Sequence, residues 1–375
     1  MLIILLLCCM IVGLVAFSAN KNLHVAPTAA GSIVMALGIF IQGVWQHMSG
    51  QGPHSLMTRL LVIGTALIWL YLLVSYIASI RRSSFYRDHL ADPVQRFAIG
   101  TWVAGTSTLL INLFASFGVY WVQETIHIIA VLNAGLWLFL LYFMCLGWYQ
   151  ILLQKQYDRI HGVLLLSAVS TQSIVLLFHQ VFSNGYVAFW LNQSMIALGL
   201  LFYLISASLI LYRYSRRPER LIADWTDTNC ILYGALAITG AVVQATHAWS
   251  DTAILILWWI TLLILIAVEC TEGLRAIRRI RQKGWRHGIG IYNTAQWTRL
   301  FTLGMFYFFT MRTEQLYVEH TGSTVALGIH RWILSGGAWI ISILLIIELV
   351  LWIQAMIVRR SNRIEADNQH SSMVE

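Results

Sequence analysis

Apolar residues run almost unbroken for about twenty positions at a time along this chain, and charged or turn-forming residues gather between the runs. At 1.5 Å of rise per residue such a run crosses about 30 Å of hydrocarbon, so each is expected to be a transmembrane helix and not a helix of a soluble core. The pattern predicts spans over 26–48, 57–80, 95–120, 125–153, 161–183, 188–212, 229–249, 252–271, 290–311 and 331–357. The four prolines, Pro27, Pro53, Pro93 and Pro218, all fall at or beside a span edge, where a missing backbone donor costs least. A further apolar stretch, 1–18, precedes the ten. It has no basic leading region, and cleavage after it would put the new terminus on the wrong side, so an uncleaved extra span is expected there, with a misplaced start codon as the other explanation. The fold class expected is an all-α membrane protein: residues 1–20 an apolar segment, 25–358 a ten-helix domain, and 359–375 a cytoplasmic tail.

The spans differ in texture. Odd-numbered spans carry small and hydroxyl residues, among them Gly38, Gly105, Thr108, Ser170, Thr171, Thr239, Gly240 and Gly304, whereas even-numbered spans are bulky, as at 67–74 and 136–143. Small residues belong where helices approach closely or line a cavity, and bulky ones suit lipid. Taken as equivalent points, Gly38, Gly105, Ser170, Gly240 and Gly304 lie 67, 65, 70 and 64 residues apart, about one helical hairpin each. The repeat predicts five hairpins around a central pore, an inner ring of odd helices enclosed by even ones. The plainer reading of the same residues is that they only pack helix against helix.

Composition sharpens this picture in one respect. With 58% hydrophobic and 11% charged residues, no soluble domain of any size is expected. The net charge of +8 says nothing about nucleic acid, because all of the 24 basic residues except Arg59, Arg312 and Arg331 fall on one side of the predicted membrane. That asymmetry is the ordinary topogenic signal. It puts both ends of the ten-span unit in the cytoplasm of a multi-pass protein of the plasma (bacterial inner) membrane, with lipid as its solvent. The five cysteines form no C-x-x-C pair, and no two of the twelve histidines stand thirteen or fourteen apart, the spacing of a helix that holds two haems. No metal, disulfide framework or cofactor is therefore expected.

Several segments resemble one family. Val34-Met35-Ala36-Leu37-Gly38-Ile39 is similar to the first-span V-M-A-T-G-I of the tellurite-resistance/dicarboxylate transporter family, which includes slow anion channels and malate and sulfite carriers. Asp92-Pro93-Val94 with Gly100-Thr101-Trp102-Val103-Ala104-Gly105-Thr106 resembles its third-span opening, and Ser170-Thr171-Gln172-Ser173 its fifth. Trp225 with Gly234-Ala235-Leu236-Ala237-Ile238 looks like its seventh, and Trp297-Thr298-Arg299-Leu300-Phe301-Thr302-Leu303-Gly304-Met305 like the W-x-x-V-F-P-L-G-M of its ninth. The resemblance runs in order from about residue 25 to 357. It implies a homotrimer with one pore in each subunit, small inorganic or organic anions as cargo, no catalysis, and Phe301 as an aromatic gate. Leu37 stands where threonine is usual, Thr302 where proline is usual, and Arg299 where a small residue is common.

The ninth span can also be read without the family. Trp297, Phe301, Gly304 and Phe308 share one helix face, so a ring sits one turn from a residue without a side chain, and on a narrow pore that ring would exclude ions by dewetting. Arg299 could attract anions to the inner mouth, or snorkel to the headgroups, or be neutralised by Glu269. The hydroxyls of Thr101, Thr106, Ser107, Thr108, Ser170, Thr171 and Thr239 could solvate an anion, or bond their own helix backbone. His179 and His247, toward the ends of the fifth and seventh spans, could respond to pH, the simpler reading being structural histidines. Two other function classes stand beside transport: a membrane enzyme acting on lipid, for which Asp224 and Asp227 are the only close acidic pair at a span start, and a non-conducting member of the same fold.

Overall fold

The computed structural model describes residues 25–182, 189–216, 218–320 and 324–372. The apolar stretch 1–18 and Lys21 lie outside these residues. Ten long helices follow one another: α1 (Thr28–Ser49), α2 (Leu56–Arg81), α3 (Gln95–Ser116), α4 (Tyr120–Leu153), α5 (Gly162–Val181), α6 (Phe189–Ser215), α7 (Asp227–Ala245), α8 (Asp251–Gly288), α9 (Ala295–His320) and α10 (Thr324–Ser372). Among the described residues all except α9 are long and apolar enough to cross a membrane. The chain is a multi-pass, all-helical integral membrane protein.

Their ends follow from local chemistry. Ser55 and Ser250 accept hydrogen bonds from the Thr58 and Ala253 amides and so cap α2 and α8. The Asp92 carboxylate accepts from the amides of Val94 and Gln95 at 2.8 and 3.0 Å and starts α3 immediately after Pro93. Inside α8 the backbone breaks at Gly284, whose φ of 73° is open to glycine at little cost. The ninth helix departs from the span expected at 290–311. It begins at Ala295, whose amide bonds the Asn293 side chain, and it continues beyond Arg312 and Glu314. Hydropathy reports the solvent a helix faces, and α9 faces mostly protein: it packs on α1, α7, α8 and α10.

Packing separates odd from even helices. Each odd helix lies against the next odd one, α1 on α3, α3 on α5, α5 on α7, α7 on α9, and α9 returns to α1. Each even helix packs on the odd helix before it in the chain. Burial follows the same division. The central stretches of α1, α3, α5 and α7 are 78–89% buried, against 28–44% for α2, α4, α6, α8 and α10. The bulky residues of the even helices point outward, as at Leu132, Leu204, Leu263 and Trp332, each at least 60% exposed, where acyl chains replace water at no cost.

Four of the five odd helices share one local feature. Each of α1, α3, α5 and α7 opens with a 3-10 turn, at Thr28–Ala30, Gln95–Ile99, Gly162–Leu165 and Asp227–Cys230, before relaxing into α-helix. In α1 a π-helical stretch, Phe40–Trp45, interrupts the regular ladder. There the Gln42 amide donates to the Thr108 carbonyl at 3.1 Å while the Asn112 amide donates to the Gly38 carbonyl at 2.9 Å, a reciprocal clasp of α1 to α3.

Candidate functional site: a vestibule and a closed axis

The five odd helices bring their N-terminal ends to one place. A cavity of about 320 Å³ opens there, floored by Ala29 of α1, Thr101 of α3, Leu166 of α5, Ile231 of α7 and Thr298 of α9. Its rim is polar. Asn229 accepts the Gly162 amide at 2.9 Å and donates to the Tyr214 hydroxyl at 2.8 Å, fastening the start of α5 to the start of α7. His161 Nδ1 accepts the Val163 amide, which leaves the ring proton on Nε2 and makes the Thr228 hydroxyl, 2.8 Å away, its second donor. Burial, helped by Arg213, pushes the His161 ring down to about 4, so it is neutral at physiological pH.

The acidic residues at the rim are already engaged. Asp227 receives Arg275 and, at 2.6 Å, the Asn293 amide, and Arg275 also reaches Glu272 at 3.2 Å. Asp224, outside the cavity lining, meets Arg213 and Tyr214 through its backbone carbonyl and not its carboxylate. The mouth is therefore not a bare ring of cations. Two carboxylates, Asp227 and Glu272, share the one guanidinium of Arg275 there.

Helical spacing shows what lies beyond this floor. On α9, Phe301 and Met305 follow Thr298 by three and seven residues and so share its face; on α5, Ser170 and Ser173 follow Leu166; on α7, Ala235 and Ile238 follow Ile231. All of them are buried, Phe301 and Ser170 completely, as is Met35 of α1, which lies beside Gly105. Beyond the vestibule floor, Phe301 and Met305 of α9 and Met35 of α1 are all buried inside the ring of odd helices.

The glycines singled out in the sequence sit between helices. A Cβ on Gly38 would meet Thr108 at 2.7 Å, one on Gly105 the Gly31 carbonyl at 3.0 Å, one on Gly304 the Ile39 side chain at 2.9 Å, and one on Gly240 the Phe309 ring at 2.2 Å. These positions set how closely the odd helices approach one another. The candidate hydroxyls mostly return to their own helix: Thr108 to the Gly105 carbonyl, Ser170 and Thr171 to that of Ser167, Thr239 to that of Ala235. Thr171 also accepts the Trp137 indole of α4, which turns it away from the axis.

Arg299 points away from the axis too. Its guanidinium is taken up by Glu269 of α8, with Nε at 3.3 Å from one carboxylate oxygen. The Tyr233 hydroxyl donates to that same oxygen at 2.9 Å, and Thr302 donates to Tyr233 at 3.0 Å. Of the three readings open in the sequence, pairing with Glu269 is the geometry found. Thr302 thus makes a polar bridge to α7 and packs its methyl group where Gly234 has no side chain. Tyr233, Met35, Met305 and the Asn229 clasp were not among the expected site residues. Each is a common residue in an apolar run, and only its partner on another helix reveals it.

Outside the ring, a second cavity of about 420 Å³ lies among α1, α2, α3 and α4, walled by Trp69, Tyr76, Trp102 and Leu136. At the end of the ring opposite the vestibule stand Arg312, His179 and His247. Compared with models of known protein families and with curated proteins, the chain matches none.

Proposed function

We propose that this protein passes small anions through the membrane along the axis enclosed by α1, α3, α5, α7 and α9, with Phe301 as the side chain that closes the path. The convergence of five helix N-termini on one polar vestibule carries the reading. Each terminus carries about half a positive charge, which suits anions and not cations, although neighbouring side chains already take the first amides of α3, α5 and α9. The buried layer of Phe301, Met305 and Met35 is then a hydrophobic constriction that excludes ions until the ring moves.

On this reading the ten helices are five transmembrane hairpins, the vestibule faces the cytoplasm because the basic loops adjoin it, and the membrane is the bacterial inner membrane. The subunit conducts by itself within a homotrimer, and the ordered resemblance to the tellurite-resistance/dicarboxylate transporter family supports inorganic oxyanions, halides or C4-dicarboxylates as cargo. Arg299, held by Glu269, stabilises the ring and does not attract the cargo. The test is anion efflux from liposomes. Phe301→Ala is expected to raise nitrate or chloride flux well above wild type. Unchanged flux from a correctly inserted variant would remove Phe301 as the gate.

A further inference from the structure

We infer that the end of the ring away from the vestibule holds a second anion-binding site, centred on Arg312 of α9 and completed by His179 of α5 and His247 after α7. Arg312 follows Thr298, Phe301 and Met305 by fourteen, eleven and seven residues, so it shares their face of α9. Among the described residues it has no counterion. Its Nε is buried and makes no hydrogen bond, and no carboxylate acts on it. The nearest acid on its own helix, Glu314, is turned to Arg331 of α10 at 3.8 Å. The guanidinium lies over the Phe308 ring, 5.8 Å from its centroid, so one face is covered while its N–H edge stays available.

The surroundings add donors and positive charge. His179 stands in the last turn of α5 and His247 two residues after α7, within electrostatic reach of each other, and His179 also of Arg312. The Gln244 side chain, one turn before His247, also has a buried oxygen without a partner, so its amide is free to reorient. An arginine left uncompensated inside a membrane protein is costly, and a bound anion offsets that cost. The planar N–H edge suits a small oxyanion such as nitrate better than a spherical halide. Its purpose as the far terminus of a path rests on the function proposed above, but the binding itself does not.

Binding is tested on the purified full-length protein in detergent, as the shift in thermal midpoint on replacing gluconate by nitrate at constant ionic strength. Wild type is expected to gain stability with nitrate, more than with chloride. Arg312→Gln should remove the nitrate-dependent shift, Arg312→Lys should retain part of it, and His179→Gln should reduce it. Because Arg312→Gln deletes an unpaired cation, it is expected to fold and insert at least as well as wild type. An undiminished nitrate shift in Arg312→Gln would overturn the site. A response to added phosphatidylglycerol that depends on Arg312, with none to nitrate, would make the occupant a lipid phosphate and overturn it as well. Flux through Phe301→Ala separates this from the pathway: an Arg312-dependent nitrate shift without flux supports the site and removes the path, and flux without that shift does the reverse.

Discussion

Changing Glu269 to Gln deprives Arg299 of its counterion while leaving the shape of the α7–α8–α9 junction almost intact. The side chains of Arg299 and Glu269 are 26% and 22% exposed, so the pair is mostly but not wholly removed from solvent. Breaking a fully buried pair costs about 3–5 kcal/mol, and the residual exposure brings the expected loss to about 2–3 kcal/mol. Arg299→Gln is milder, because the Glu269 carboxylate keeps the Tyr233 hydroxyl at 2.9 Å. Replacing both, as Arg299→Met with Glu269→Leu, removes charge and desolvation cost together and should return stability to within about 1 kcal/mol of wild type. A double-mutant cycle followed by reversible unfolding in mixed detergent micelles reads the coupling, expected at about 2 kcal/mol. Additive losses would refute the pairing. Liposome flux in a Phe301→Ala background provides the second half of the test: the double variant should conduct as well as Phe301→Ala alone, and a collapse of flux in a stable double variant would return Arg299 to the pathway.

Other substitutions probe the ring and its mouth. Gly162→Ala would place a Cβ 1.9 Å from the Thr228 carbonyl, a backbone atom that cannot step aside, so it should separate the starts of α5 and α7 and cost more than about 2 kcal/mol, measured as a lower thermal midpoint. Gly240→Ala drives a methyl group into the buried Phe309 ring and should destabilise by about 1–3 kcal/mol, with partial recovery when Phe309→Leu is added; no recovery would separate the two positions. His161 gives a pH effect of definite sign. Its folded value, about 4, is below the ordinary 6.5, so between these values the unfolded chain binds a proton that the folded chain refuses, and stability falls as pH drops through that window. His161→Gln should flatten that part of the stability profile, and an unchanged slope would locate the effect elsewhere.

What the sequence made legible was solvent and rhythm. Lipid-facing and protein-facing helices differ in bulk, so the division between α2, α4, α6, α8, α10 and α1, α3, α5, α7, together with the boundaries of most spans, could be read from Leu, Trp and Gly alone. The extent of α9 could not, because a helix enclosed by others tolerates Arg299, Arg312 and Glu314 and loses the hydropathy signal. Roles within the ring were harder still. Gly105 and Gly304 carry no mark that tells a cavity wall from a close contact, and only Gly31 and Ile39 across the gap settle it. The fate of Arg299 depended on the rotational phase of α9 against α8, which a list of residues does not contain. Phe301 was singled out by spacing, whereas Met35 and Arg312 lay in segments where nothing local distinguished them.

The most direct measurement is solvent access beyond Phe301. In a chain whose five cysteines have been replaced, Met305→Cys is exposed to a small, anionic, membrane-impermeant thiol reagent in proteoliposomes, with and without Phe301→Ala. A path along the axis predicts that removing the ring speeds modification at least about tenfold, about 1.4 kcal/mol off the barrier. Equal rates with and without the ring, or reaction only with lipid-soluble reagents, would mean that Met305 borders packed protein or lipid and that no anion passes Phe301.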